Sequence, residues 1–503
     1  MAGAAVGLAP FHAAAAPAAP RPAPVTSRPA PAPADDRLPP ALRRLVQSAG
    51  LPAASIGLHI EPLGDGRGAI PLAGLNPERP YQLASTAKVV TTLAALSLLG
   101  PRYRWRTPAF AIGQLQDGRL DGDLLILGGG DALLRTEDLL AWFRRMQDEG
   151  LREVRGNIVL DRFAFRLTEA DLASTPSPGP DRPHHVWPDA LTLDEGRLKL
   201  RVQARAGARP ALSLAPAVSG LRIDAELAGQ GQACELVAEV APSPPGQPAS
   251  RLMVRGHWPA HCGSRELELA PWSHEVFTVR AVGALWREAG GRLRGRVVAA
   301  TRPTVTRTPD GAWPIGADGR PLQAFSMHRS EPLPLLMRDI NKMSDNLAAR
   351  NLMLSLAPGF PLQAATLKGA RDRVHGWLRS QGLAAGDILV DSGSGLSREE
   401  RGKPRALAQL LRQAWHSPQR EAFVASLPVA GVDGTLAHRF TKGRATGRAF
   451  LKTGTLLDTR GIAGYVLGAS GQPYALVALV NHAEAQRATP MFDQLVEWLA
   501  GQA

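Results

Sequence analysis

Gln82–Leu99 reads QLASTAKVVTTLAALSLL, an apolar run rich in Ala and Leu that stops at Gly100-Pro101. The pattern predicts a buried helix, yet Lys88 sits near its start, three residues after Ser85. A buried ammonium is costly unless it is paired or put to use. On a helix, positions i and i+3 share a face, so the amine can reach the hydroxyl. A hydroxyl becomes a strong nucleophile when a base takes its proton. An amine desolvated at a helix N-terminus has the lowered proton affinity that such a base needs. Ser85 is the only serine followed three residues later by a lysine. Taken alone, the tetrapeptide fits a snorkelling lysine equally well.

Two further stretches carry matching chemistry. In NKMSDNLAARNL, Ser344 can relay a proton and the Asn346 amide can hold a substrate carbonyl. Ser, Asp and Asn are also the favoured helix N-caps, so a plain helix start is the competing reading. In FLKTGTL, Lys452 and Thr453 present a cation and a hydroxyl from a strand. Gly454 clears the way for close approach of a substrate backbone, and the Thr455 amide can face an oxyanion. Here the competing reading is an edge strand guarded by a lysine. In this order the three form the set S-x-x-K, S-D-N and K-T-G of class A β-lactamases and penicillin-binding proteins. Two of only seven lysines fill the required places, which argues against coincidence.

Outward from these motifs, the 503-residue chain has room for two to four domains. RLPPALRRLVQSAG reads as an amphipathic helix closed by Gly50, SIGLHIEPL (55–63) as a strand, and GDGRG as a turn. From 105 to 320 the texture is β-like, with GDLLIL, GNIVLDRFAF, RLKLRVQA, CELVAEV and RLMVRGHW separated by Gly/Pro clusters and by a Pro-rich loop at 174–188. Helical segments interrupt it near 136–149 and 279–289. Helical patterning returns over 333–356, 362–380 and 404–416, followed by three strand-like runs at hairpin spacing and a terminal helix, MFDQLVEWLAG. One early strand and three late ones predict an α/β domain whose sheet is assembled from both chain ends, with one or two β-rich domains inserted. The expected division is 1–36 as a signal-like segment and tether, 37–104 and 321–503 as two parts of one domain, and 105–320 as the insertion.

MAGAAVGLAPFHAAAA resembles the apolar and small-residue part of a secretory signal without its basic start, a disordered terminus being the other reading. The Ala/Pro-rich stretch 13–34 reads as an extended tether. No later run is long and apolar enough to predict a membrane-spanning helix. The net charge of +13 comes from 51 arginines, which are scattered rather than bunched, with no basic run interleaved with aromatics. That pattern argues against a nucleic-acid partner and suits peripheral association with an anionic envelope polymer or membrane. Cys234 and Cys262 are a candidate disulfide in a secreted chain, or else two buried thiols. Adjacent His184 and His185, with Asp181 and Asp189, do not match metal-ligand spacing, and no phosphate loop is present. Neither a metal nor a cofactor is expected.

Beyond the three motifs, MHRSEPLPLLMRDINKMSDNLAARNLM, DSGSGLSR (391–398), SLPVAGVDGTLAHRF (426–440) and FLKTGTLLDTRGIAGYV resemble blocks of the D-alanyl-D-alanine carboxypeptidase/endopeptidase family, the class C low-molecular-mass penicillin-binding proteins. The gap of 259 residues between Ser85 and Ser344 is similar to that family's signature insertion. In the 391–398 block, Ser392 stands where the family usually carries Asp or Asn. The resemblance implies a serine β-lactamase/transpeptidase-like fold and acyl transfer in the periplasm. It implies Ser85 as nucleophile and Lys88 as base, with Ser344 and Lys452 passing a proton to the leaving amine. Asn346, Thr453, Gly454 and Thr455 would bind substrate, with peptidoglycan peptides as substrates and β-lactams as covalent inhibitors. The alternatives are a β-lactamase, a D-aminopeptidase or esterase of the same fold, and a non-catalytic peptidoglycan-binding protein.

Overall fold

The early strand and the three late strands meet in one sheet. In the computed structural model, which describes residues 37–64, 70–177, 186–241, 244, 247–306, 315–316 and 319–503, five antiparallel strands form its centre. They are β1 (Ile56–Pro62), β2 (Ala73–Leu75), β3 (Ala449–Leu456), β4 (Thr459–Leu467) and β5 (Pro473–Asn481), in the order β3-β4-β5-β1-β2. β1 pairs with β5 along its whole length, Ile56 opposite Val480 and Pro62 opposite Tyr474. The signal-like segment, the Ala/Pro tether, most of the GDGRG turn and the His184-His185 pair lie outside the described residues.

YALVALV in β5 is apolar at nearly every position because both faces of the sheet are covered. Leu476, Ala478 and Val480 pack with the terminal helix Ala488–Ala500, whereas Ala475, Val477 and Leu479 join the other core. That second core is helical: α1 (Ala87–Leu98), α2 (Leu333–Lys342) and α3 (Asn346–Ser355) supply most of its centre. The helical patterning of 333–356 is thus two helices. Ser344 takes a left-handed backbone (φ +61°) between them, and the Asp345 side chain caps α3 by accepting from the Ala348 amide at 2.9 Å. The expected helix start and the motif are the same residues. Leu367–Ser380 and Pro404–Trp415 complete this layer.

The predicted β-rich insertion holds a seven-stranded sheet with Arg106–Gln116 and Arg119–Leu127 at its middle, and Ser326–Arg329 joins it from beyond residue 320. Thr136–Asp148 and His274–Glu288 pack on that sheet through Trp142, Phe143, Phe277 and Trp286. Two three-stranded sheets follow, one around Arg251–His257 and one around Leu198–Gln203, with Leu200, Val202, Leu252, Val254 and Trp258 between them. Leu198–Gln203 alternates buried and exposed residues, as a half-buried strand must. The strands Ala211–Ala215, Arg222–Ala228 and Ser264–Leu269 lie in the stretch expected to be β-rich, outside the runs quoted as its examples. Cys234 and Cys262 form a disulfide that ties the strand Glu235–Val240 of one sheet to the strand Ser264–Leu269 of the other. No helix among the described residues is long and apolar enough to cross a membrane.

Candidate active site

Ser85 does not lie in the helix proper. It sits in a tight 3-10 turn, Ala84–Thr86, immediately before α1. Ala84 is left-handed (φ +46°), a conformation that a residue with a Cβ adopts only when its surroundings enforce it. Here they do. The Leu83 amide donates to the Glu400 carbonyl at 3.0 Å, and the Thr86 hydroxyl donates back to the Leu83 carbonyl at 2.6 Å. Gly395 also packs so close that a Cβ there would lie 1.9 Å from the Ala84 carbonyl oxygen. The turn thereby lifts the half-buried Ser85 to the end of α1, and the first helical turn places Lys88 beneath it.

Lys88 is wholly buried, and its Nζ has three partners: Ser85 Oγ at 3.0 Å, Asn346 Oδ1 at 2.7 Å and the Ser394 carbonyl at 2.6 Å. Burial pulls its pKa from the ordinary 10.5 down to about 7, against the carboxylates of Glu400 and Asp345, which hold the charge. A neutral amine keeps two N–H donors and one lone pair. Two of the three neighbours are carbonyl oxygens and can only accept, so the lone pair falls to the Ser85 hydroxyl. This is the arrangement of a base poised on its nucleophile.

The second and third motifs converge on the same point. Lys452 Nζ, also fully buried, lies 3.0 Å from Ser344 Oγ and 2.9 Å from the Thr453 carbonyl. Burial, and then the charge of Lys88, push its pKa well down, so the two amines do not both carry a proton easily. β3 is an edge strand whose lysine points into this cluster, which sets aside a role as an exposed guard against aggregation. A Cβ at Gly454 would stand 3.0 Å from the Leu83 carbonyl oxygen and 3.1 Å from the Thr86 nitrogen, so glycine lets the strand close on the serine turn. Thr453 is half-buried and Thr455 exposed beside it, and the Thr453 hydroxyl lies 2.8 Å from that of Thr435.

Reasoning from motifs missed Thr435, the Ser394 carbonyl and Glu400. The buried Glu400 carboxylate accepts from the amides of Gly393 (2.6 Å), Gly395 (2.7 Å) and Asp391 (3.3 Å) and from the Ser392 hydroxyl (3.0 Å). It shapes the loop that delivers the Ser394 carbonyl to Lys88. The 391–398 and 426–440 blocks were the available signal for Ser394 and Thr435; Glu400 lies outside both. Among the described residues, only Cys234, His261 and Cys262 cluster as metal ligands do, and the two sulfurs are bonded to each other.

The sequence profile of the D-Ala-D-Ala carboxypeptidase 3 (S13) family matches residues 40–502. The chain belongs to that family. It is accordingly a hydrolase of the serine-type D-Ala-D-Ala carboxypeptidase class. The D-alanyl-D-alanine carboxypeptidase DacB of Haemophilus influenzae is 23% identical over 415 residues, 79% of this chain and 80% of the relative. The D-alanyl-D-alanine carboxypeptidase of Actinomadura sp. strain R39 is 28% identical over 403 residues, 77% of this chain and 71% of the relative. The S13 chain shares its fold with the crystal structure of penicillin-binding protein 4 (dacB) from Haemophilus influenzae, at a TM-score of 0.69 and 21% identity over 91% of this chain and 99% of that one. The same protein complexed with a β-lactam gives a TM-score of 0.65.

Proposed function

We propose that this S13 chain works on peptidoglycan in the periplasm, with Ser85 as its acylated nucleophile. It removes a terminal D-Ala and also cleaves D-Ala–diamino acid crosslinks. The observation that carries the reading is the buried Lys88 amine, 3.0 Å from the Ser85 hydroxyl and with a pKa lowered to about 7.

Lys88 takes the proton as Ser85 Oγ bonds to the carbonyl carbon of the penultimate D-Ala. The amides of Ser85 and Thr455 hold the oxyanion. Ser344 and Lys452 deliver a proton to the departing amine, the C–N bond breaks, and an acyl-serine remains. Water then attacks the ester, its proton passing to the same bases, and Ser85 is restored. Asn346 holds the acyl-donor peptide. The Thr453 and Thr455 hydroxyls, with Lys452, receive the substrate carboxylate, and Gly454 keeps their strand close to the serine. The substrate backbone lies along the open edge of β3, as peptides do when they extend a sheet. A β-lactam enters as the acylating dipeptide does and stays on Ser85. In this reading 37–104 with 321–503 is the catalytic part and 105–320 the inserted part.

The test pairs the wild type with Ser85→Ala, each incubated with a fluorescent penicillin and then run on a denaturing gel. D-Ala release from a small acyl-D-Ala-D-Ala peptide is followed in parallel. Label and D-Ala release from the wild type alone support the reading. Label persisting in Ser85→Ala would refute it, and rapid penicillin consumption without peptide turnover would make the protein a β-lactamase.

A further inference from the structure

The stretch that follows α1 reads Arg102-Tyr103-Arg104-Trp105-Arg106, a basic run interleaved with aromatics, contrary to the expectation that none exists. The structure sorts the two residue types. Trp105 is 1% exposed and donates its Nε1–H to the Ser355 hydroxyl at 2.8 Å, while Arg102, Arg104 and Arg106 are all exposed. Arg329 comes from the neighbouring strand, where it is paired directly with Arg106. The four guanidiniums line an open cavity of about 450 Å³ whose floor includes Tyr103 and Phe360.

Two features distinguish this cavity from a chance concentration of arginines. Like charges placed directly opposite across a strand pair destabilise the sheet, yet Arg106 and Arg329 face each other here. No Asp or Glu lines the cavity, and among the described residues none of its four arginines has a carboxylate within ion-pair distance. A local rule broken without an internal compensation marks a site that an outside ligand completes. We infer that this arginine-lined cavity is a secondary docking site for the carboxylates of a second stem peptide in the peptidoglycan mesh.

The ligand class follows from charge: four guanidiniums without a carboxylate partner call for carboxylates, which the stem peptides of the proposed substrate carry. The cavity lies past the C-terminal end of α1, and the 12 residues of that helix put it ~18 Å from Ser85. Arg329 also lines an adjoining cavity of about 250 Å³, where Asp131, Asp138, Glu331 and Asp339 stand with Arg135, so the carboxylate-free part of the surface is the larger cavity alone.

The inference rests on the proposed activity, and the test separates the two. The full chain and its R102Q/R106Q/R329Q variant are sedimented with insoluble peptidoglycan, native and with its carboxylates amidated, across a salt series. D-Ala release from a small peptide is measured alongside. The expected result is salt-sensitive binding of the wild type to native peptidoglycan, weakened roughly tenfold in the variant. On amidated material the two proteins should bind equally weakly, and small-peptide turnover should stay unchanged. Equal binding of both proteins to native peptidoglycan, or full wild-type binding to the amidated form, overturns the docking site. So does arginine-dependent binding seen with DNA or a phosphate polymer and not with peptidoglycan. Absence of small-peptide turnover by the wild type would instead sink the proposed activity. Arg329→Glu guards against misfolding, because it turns the like-charged pair into an attractive one. It should raise Tm while weakening binding, and a raised Tm with undiminished binding again overturns the inference.

Discussion

At the residue scale the proposed chemistry turns on Lys88, a buried lysine that must give up its proton. Burial lowers the Lys88 pKa from 10.5 to about 7, so the unfolded chain holds one proton more than the folded chain between those values. Stability contributed by this group therefore rises with pH across that window and is least below it. In the proposed mechanism Lys88 acts as base when neutral, so kcat/KM for penicillin acylation should climb through about pH 7 and level off above it, falling tenfold per unit on the acid side. A pH-rate profile checks this. Lys88→Arg cannot deprotonate and should lose about 10²–10⁴-fold in acylation rate. Glu400→Gln tests the carboxylate that opposes the shift. With that negative charge gone, the acid limb should move to lower pH, and backbone amides left unpaired in the 391–395 loop should cost about 1–3 kcal/mol in a denaturant titration. Ser85 and Lys88 were legible because two side chains at helical spacing announce a shared face. Glu400 was not, because it acts on main-chain amides, which no residue pattern records.

At the element scale, glycine sets how closely β3 approaches the serine turn. Gly454→Ala would place a methyl 3.0 Å from the Leu83 carbonyl oxygen and 3.1 Å from the Thr86 nitrogen. Relief requires the strand to move outward, so acylation should slow by an order of magnitude or more and stability should fall by about 1–3 kcal/mol. Penicillin labelling rates and a melting curve measure the two effects. Several strands and helices around the central sheet were legible from their period, 2 in SIGLHIEPL and 3.6 in the helix of 404–416, while β5 and α1 were legible as continuous apolar runs because they are buried on nearly all sides. The break inside 333–356 falls at the largely polar stretch 341–346, which apolar helical runs flank on both sides. Only the polar Ser344-Asp345-Asn346 betrayed it, through the left-handed serine and the aspartate cap. Ala211–Ala215, Arg222–Ala228 and Ser264–Leu269 stood out less because they are largely exposed and their alternation is weak.

At the scale of the whole molecule, the two small sheets and the catalytic cores draw on separate sets of buried residues. The Cys234–Cys262 bond closes a loop of 28 residues within those sheets, worth about 3–4 kcal/mol on chain-entropy grounds. Replacing both cysteines by serine should therefore lower the unfolding midpoint of that region, read by hydrogen exchange, while penicillin acylation stays near the wild-type rate. The overall plan, a sheet built from both chain ends around an insertion, was readable from where strand-like runs fall. Its arginine cavity was not, because it depends on Ser326–Arg329 pairing with a strand more than two hundred residues earlier. The same long-range pairing has a consequence for biosynthesis. Ile56 finds its partner only when Val480 has been made, and the ribosome takes about 20–80 s to add the roughly 400 residues between them, at ~5–20 residues per second. Throughout that interval the nascent chain holds Ser85 and Lys88 without the strand that bears Lys452. With Lys452 in its proposed role, the site is complete only once the last segment has been made, and synthesis itself delays the activity.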